Sequence, residues 1–177
     1  FVYSVCCKPL DLHLSIRRKR HICIRDSLCA KADIIGPNFT EAALMLGEEY
    51  RPAPYSKEYV ESTLRRLSCL GPSKVVLTGV AFDGRQVGSA SYDRSTDEIS
   101  YALSDTVDGY FHGTGDVFAS ALLGAYMNGL SLAESARIAV DYTHGCIVRT
   151  KEAGTDLRYG VDFEHGISDL LRQTGII

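Results

Sequence analysis

The sequence predicts an α/β protein in which helices pack on a layered sheet. Three observations carry that expectation. From Leu28 onward, short apolar segments of strand type alternate with segments of helical periodicity. A Gly-x-Gly turn at Gly113–Gly115 runs straight into an alanine-rich apolar stretch. The chain has 177 residues, 45% hydrophobic and 23% charged, a length and balance that suit one globular domain with a real core.

The elements follow in order. Asp33 to Ile35 reads as a short buried strand, turned by Pro37-Asn38 into a helix over Thr40 to Leu46 that stops at Gly47. Arg51 to Tyr55, with two prolines, is a loop. Ser56 caps the next helix, with Glu58 in its first turn and Val60, Leu64 and Leu67 on its apolar face. Gly71-Pro72 ends it. Lys74 to Thr78 is a continuous apolar run of the kind buried strands use. Asp83-Gly84 is a hairpin signal, so Gln86 to Tyr92 and Glu98 to Leu103 are expected as antiparallel strands. Past the glycine turn, Val117, Phe118, Ala121, Leu122, Ala125 and Tyr126 recur at helical spacing until Asn128-Gly129. Ser131 and Glu134 form a capping-box pair for a helix to about Arg149, and a last helix runs from about Asp162 to Arg172. Internal repeats and low-complexity tracts are absent from the sequence.

The chemistry concentrates at Phe111-His112-Gly113-Thr114-Gly115-Asp116. Glycines let the backbone turn tightly and leave its N–H groups uncovered. The helix start behind them adds unpaired donors and partial positive charge, which suit an anion. A carboxylate at that position repels phosphate unless it has a task, and the natural one is to accept a proton from an attacking hydroxyl. A plain glycine turn with Asp116 as a first-turn acid fits the spacing equally well. A dinucleotide fingerprint does not, because Phe118 stands where its third glycine would be. Asn38 and Glu41 straddle a strand-to-helix turn, where open α/β sheets bind ligands. Their ordinary structural roles would be an Asx turn and a first-turn acid. Thr78-Gly79 offers a hydroxyl and a bare N–H at a strand end, or only a turn. His112 and His144 are candidates for ligand contact or for packing.

Gly113-Thr114-Gly115-Asp116 resembles the anion-hole motif of the ribokinase-like superfamily, and Phe111 to Ser120 is similar to its pyridoxal/pyridoxamine kinase branch. Ala32 to Ala42, Lys74 to Gly79 and the tail Tyr159 to Glu164 resemble further motifs of that branch, in the same order. The resemblance implies a ribokinase-like three-layer sandwich with a mainly parallel sheet, present as a partial domain. It implies ATP-dependent phosphorylation of the 5′-hydroxymethyl group of pyridoxal, pyridoxamine or pyridoxine. Asp116 would be the catalytic base, with the anion hole built from Gly113, Thr114 and Gly115. Asn38, Thr78 and Gly79 would bind nucleotide, and Glu41 would serve Mg2+ through water. The cofactors implied are ATP and Mg2+; the partners are a B6 vitamer and a second copy of the chain, in the cytoplasm. Alternatives are a hydroxymethylpyrimidine kinase, whose motif commonly has cysteine in place of Asp116, and a sugar or nucleoside kinase, which more often has alanine in place of Thr114. A non-catalytic nucleotide-binding remnant is the alternative from another class.

Residues 1–27 differ from the rest. They carry a charge of +4 against −7 for the remainder, hold Arg17-Arg18-Lys19-Arg20, and match none of these motifs. They are expected to be a non-family segment, disordered or the product of a broken reading frame, with the kinase part over 28–177. The βα units that precede the Asn38 motif in the family are missing, so the 177-residue chain is expected to have little activity by itself. A whole-chain charge of −3 gives no case for nucleic acid binding, and no apolar run reaches membrane-spanning length. Basic residues follow rather than precede the apolar start, the wrong order for a secretory signal. Cys6, Cys7, Cys23, Cys29, Cys69 and Cys146 lack zinc-type spacing and are expected as reduced core residues. No lysine-bearing P-loop occurs.

Overall fold

The computed structural model describes residues 29–154 and 160–176. The expectations for residues 1–27, the basic run included, and for Tyr159 lie outside the described residues. A single 3-10 turn, Cys29–Lys31, leads into strand β1 (Ile34–Ile35) and helices α1 (Phe39–Leu46) and α2 (Lys57–Ser68). Strands β2 (Lys74–Val80), β3 (Gln86–Asp93) and β4 (Glu98–Asp105) follow. Helices α3 (Thr114–Met127) and α4 (Leu132–Ala153), a 3-10 turn at Glu164–Gly166, and α5 (Ile167–Gln173) complete the order.

The strands lie in the order β1-β2-β3-β4. β1 runs parallel to β2, while β2–β3 and β3–β4 are antiparallel. Over the described residues the sheet is therefore mixed, not mainly parallel. The reason is connection length: a few residues join β2 to β3 and β3 to β4, and short turns permit only antiparallel pairing. At the first turn Gly84 takes φ 76° and Arg85 N–H donates to Asp83 Oδ1 at 2.9 Å, as the Asp-Gly signal requires. The β1–β2 crossover contains α1 and α2, and this length makes a parallel pair possible.

Side-chain alternation gives the sheet two buried faces. Val75, Leu77, Ala90 and Tyr92 meet Phe39, Ala42 and Met45 of α1 and Val60, Leu64 and Leu67 of α2. Val76 and Ala102 turn the other way, to Phe118, Ala121 and Leu122 of α3 and Ala136, Ala139 and Val140 of α4. Helix, sheet and helix form the three layers expected. Val60, Leu64 and Leu67 are fully buried, in agreement with their i, i+4, i+7 stripe. The caps also match: Tyr59 N–H donates to Ser56 Oγ, and Ser131 and Glu134 form both halves of a capping box. α4 runs four residues past Arg149, to an αL cap at Gly154. The last helix is shorter than expected, beginning with the 3-10 turn and then Ile167. The segment before it is held on α4, where Asp162 N–H donates to Thr150 Oγ1 at 2.7 Å and Tyr142 Oη to the Phe163 carbonyl at 2.6 Å. Cys29 and Cys146 are buried, whereas Cys69 is exposed because it caps the solvent end of α2. Burial pushes the Cys146 thiol up, with Asp162 adding to it and Arg149 opposing.

Candidate active site

Three chain segments meet at the carboxyl ends of β1 and β2. The first is the turn from β1 into α1. Asn38 forms an isolated parallel bridge with Thr78, and Thr78 N–H donates to the Pro37 carbonyl at 2.9 Å. The start of α1 and the end of β2 are thereby fastened together. Asn38 is the N-cap of α1: its Oδ1 accepts from Glu41 N–H at 2.9 Å, and Glu41 Oε2 accepts from Asn38 N–H at 3.0 Å. Both residues thus have a structural task. The reciprocal pair leaves the Asn38 amide NH2 and Glu41 Oε1 without partners among the described residues, available to a ligand.

The second segment is the end of β2. Thr78 pairs with Ser89 and Val80 with Gly88, so Gly79 is an extra residue in the ladder. Its φ of 76° is open to glycine and strained for other residues, and a side chain there would project into open space. The bulge returns Val80 to the same buried face as Leu77, and it leaves the Gly79 backbone uncovered beside Thr78.

The third is the start of α3. Gly113 is its N-cap in the αL region, with φ 80°, and no side chain caps the helix. α1, α2 and α4 are each capped by Asn38, Ser56 or Ser131. The N–H groups of Thr114, Gly115 and Asp116 lack intrahelical acceptors by position, and no backbone bond from them to other described residues is present. The Asp116 carboxylate is exposed in the first turn, without a hydrogen-bond partner among the described residues.

A cavity of about 570 Å³ opens between these segments. Asn38, Thr78, Gly79, Thr114 and Gly115 line it together. Gly113, Asp116 and Glu41 are not in its wall: Gly113 and Asp116 flank Thr114-Gly115 in sequence, and Glu41 is bonded to Asn38. His144 lines the cavity from α4, whereas His112 does not and meets Tyr110 edge-on at 5.0 Å between ring centres. The wall also contains residues that sequence reasoning passed over. Gly88 admits no side chain, because a Cβ would overlap the Ala102 carbonyl oxygen and lie 2.9 Å from Leu103 Cα. A glycine inside a strand pattern was the available signal. Thr143 contributes a buried hydroxyl without a partner among the described residues. Nothing in the helical periodicity distinguishes it from a core threonine.

Among the described residues no group of three or more His, Cys, Asp or Glu could hold a metal ion. Magnesium in kinase sites takes one or two carboxylates and completes its shell with water and phosphate. One available oxygen on Glu41, next to the cradle, fits that pattern. Among the described residues no helix is long and apolar enough to cross a membrane.

The α/β/α fold has counterparts among proteins of known type. A protein described as a phosphomethylpyrimidine kinase from Bacteroides thetaiotaomicron is 29% identical and superimposes with a TM-score of 0.81, over 90% of this chain and 54% of that one. A second crystal form of that protein, with pyridoxal, gives 0.79 over 86% of this chain and 54% of that one, at 29% identity. Pyridoxal kinase from Lactobacillus plantarum is 28% identical with a TM-score of 0.77, over 88% of this chain and 54% of that one. The hydroxymethylpyrimidine/phosphomethylpyrimidine kinase of Aquifex aeolicus is 27% identical over 122 residues, 69% of this chain and 46% of that protein. The fold is that of the ribokinase-like kinases. The phosphomethylpyrimidine kinase family matches residues 13–160, and the chain belongs to it. The match begins upstream of the boundary expected at Leu28. The chain spans about half the length of these relatives.

Proposed function

We propose that this chain supplies the phosphate cradle and general base of an ATP-dependent kinase acting on the 5′-hydroxymethyl group of pyridoxal, pyridoxamine or pyridoxine. One observation carries the reading. The start of α3 is uncapped and glycine-lined, opens on the cavity, and has an unpartnered carboxylate in its first turn. The N–H groups of Thr114, Gly115 and Asp116 are donors fixed in advance toward charge on a transferring phosphoryl group. The substrate hydroxyl oxygen bonds to the γ-phosphorus, the bond to the bridging oxygen breaks, and ADP leaves. Asp116 accepts the hydroxyl proton. The Asn38 amide and the Thr78 hydroxyl orient nucleotide phosphates, and Glu41 Oε1 holds water of the Mg2+ shell. Bound Mg2+ would neutralise charge on the phosphates.

A second reading keeps the same machinery and changes the acceptor to a hydroxymethylpyrimidine. It is favoured by the matching family and by the Aquifex relative. The pyridoxal reading is favoured by Asp116 in the glycine motif and by the pyridoxal-bound Bacteroides relative. Both acceptors present a primary alcohol on a heteroaromatic ring, so the base has the same task.

Competition decides between them. The full chain is given Mg2+ and ATP with pyridoxal and hydroxymethylpyrimidine together, and the phosphorylated products are quantified. Excess pyridoxal 5′-phosphate supports the first reading, and excess pyrimidine phosphate the second. In a complete homologous context, Asp116→Asn keeps the size and removes the base, and should lower turnover by about 10²–10⁴ with ATP affinity little changed. Turnover equal to the parent would refute the role of Asp116. Absence of ATP binding by calorimetry in the folded parent chain would refute the phosphate cradle.

A further inference from the structure

We propose that Arg149 of α4 is a positioning residue for the phosphate cradle: it fixes segment 160–163, and that segment fixes the backbone leading into the Gly113 turn. The role rests on the kinase reading of that turn. Arg149 itself is not in the cavity wall, so it acts through the residues between.

The connection can be followed contact by contact. Arg149 Nη2 donates to the Asp162 carbonyl at 3.2 Å, beside the bonds that Thr150 and Tyr142 make to the same segment. Val161 is buried in the α3/α4 cluster on which Phe111 packs. Gly160 lies against the backbone of His112: an ideal Cβ on it would stand 3.7 Å from the His112 carbonyl oxygen, and its φ of 89° is strained for other residues. His112 directly precedes Gly113, the αL N-cap of α3. The Gly113 carbonyl accepts from Val117 N–H at 3.1 Å and so opens the helix.

Arg149 contributes direction rather than stability. Its guanidinium occupies a slot between two glycines: a Cβ on Gly166 would overlap Nη2, and one on Gly145 would stand 3.2 Å from Nη1. Its Nε is buried without a partner among the described residues. An unpaired buried donor is costly, and methionine would fill the slot at no such cost. Methionine cannot donate to the Asp162 carbonyl. Hydrogen bonds are directional and apolar packing is not. Without the Arg149 bond the segment stays packed on α4 but is free to shift, and Gly160 and His112 shift with it. Donors that face a transferring phosphoryl group tolerate little displacement.

Arg149→Met in the full chain is compared with the parent by thermal unfolding, by amide hydrogen exchange followed by NMR, and by calorimetric titration of ATP with Mg2+. The Tm should be unchanged or raised. Exchange of the Val117 N–H should become about tenfold faster through local opening, with Leu64 of α2 unchanged. ATP should bind about tenfold more weakly, because the competent turn is then populated about a tenth of the time. Arg149→Lys keeps a donor and should recover most of both effects. Four results would overturn the proposal: Val117 exchange unchanged, equal acceleration at Leu64, Arg149→Lys no better than Arg149→Met, or ATP affinity unchanged in Arg149→Met beside a parent that binds ATP. A parent that binds no ATP refutes the kinase reading instead, and the exchange of Val117 then decides the positioning role by itself. Should Arg149→Met fail to fold, Tyr142→Phe, which gives up the bond to the Phe163 carbonyl, carries the same exchange test.

Discussion

Gly115→Val separates the phosphate cradle from the stability of the fold. Gly115 is the second residue of α3, and an ideal Cβ built on it meets no atom within 4 Å. Its φ is not in the left-handed region, so a side chain is compatible with the backbone. Valine exceeds glycine in helix propensity by a few tenths of a kcal/mol. The variant should therefore fold with unchanged or slightly raised stability. The open space over Gly115 is what the reading assigns to phosphate oxygens, and two methyl groups would fill it. Hydrogen bonds to charged groups contribute about 1.5–3 kcal/mol each. Loss of one such bond predicts ATP affinity about ten- to a hundredfold weaker. Calorimetric titration of ATP with Mg2+, beside urea unfolding of the same preparation, reads both quantities. Unchanged ATP affinity in a folded Gly115→Val chain would refute the placement of phosphate on this turn.

Other outcomes follow from the same structure. Gly88→Ala puts a methyl group onto the Ala102 carbonyl and should separate β3 from β4 at the cavity wall. The expected loss is about 1–3 kcal/mol in urea unfolding, and an unchanged midpoint would contradict the β3–β4 register. Burial raises the Asp93 carboxyl, but hydrogen bonds from Ser95 and the Lys74 ammonium outweigh it and hold the group below its ordinary value. Its contribution to stability is complete above the unfolded value of about 3.9 and is lost as pH falls through the lower folded value. The stability difference between the parent and Asp93→Asn should accordingly shrink as acid is added. A difference independent of pH would show that the ion pair contributes nothing. Native alkylation followed by site-resolved mass spectrometry should label Cys69 well before Cys146, whose thiol is buried and raised; equal rates would contradict the packing of α4.

Sequence alone determined what depends on near neighbours. Ser56 and the Ser131–Glu134 pair cap helices because their side chains reach N–H groups three residues away. The stripe Val60, Leu64 and Leu67 specifies a buried helix face through its spacing. Gly113 to Asp116 announced an open helix start, since glycine at a turn followed by an apolar helical run has few other uses. Element ends moved by a few residues, as at α4, where no local stop signal precedes Gly154.

Tertiary structure decided what depends on register and packing between distant segments. The Asn38–Thr78 bridge joins two turns forty residues apart in the chain and creates the floor of the cavity. The bulge at Gly79 appears only when Thr78 and Val80 are matched to Ser89 and Gly88. Asn38 and Glu41 were legible as site candidates, but their reciprocal capping bonds required the backbone geometry of the turn. Thr143 and Ser89 read as ordinary polar residues in a helix and a strand. Their hydroxyls acquire meaning only from what packs around them, because whether a buried donor finds a partner is settled by every neighbour in space and not by its neighbours in sequence.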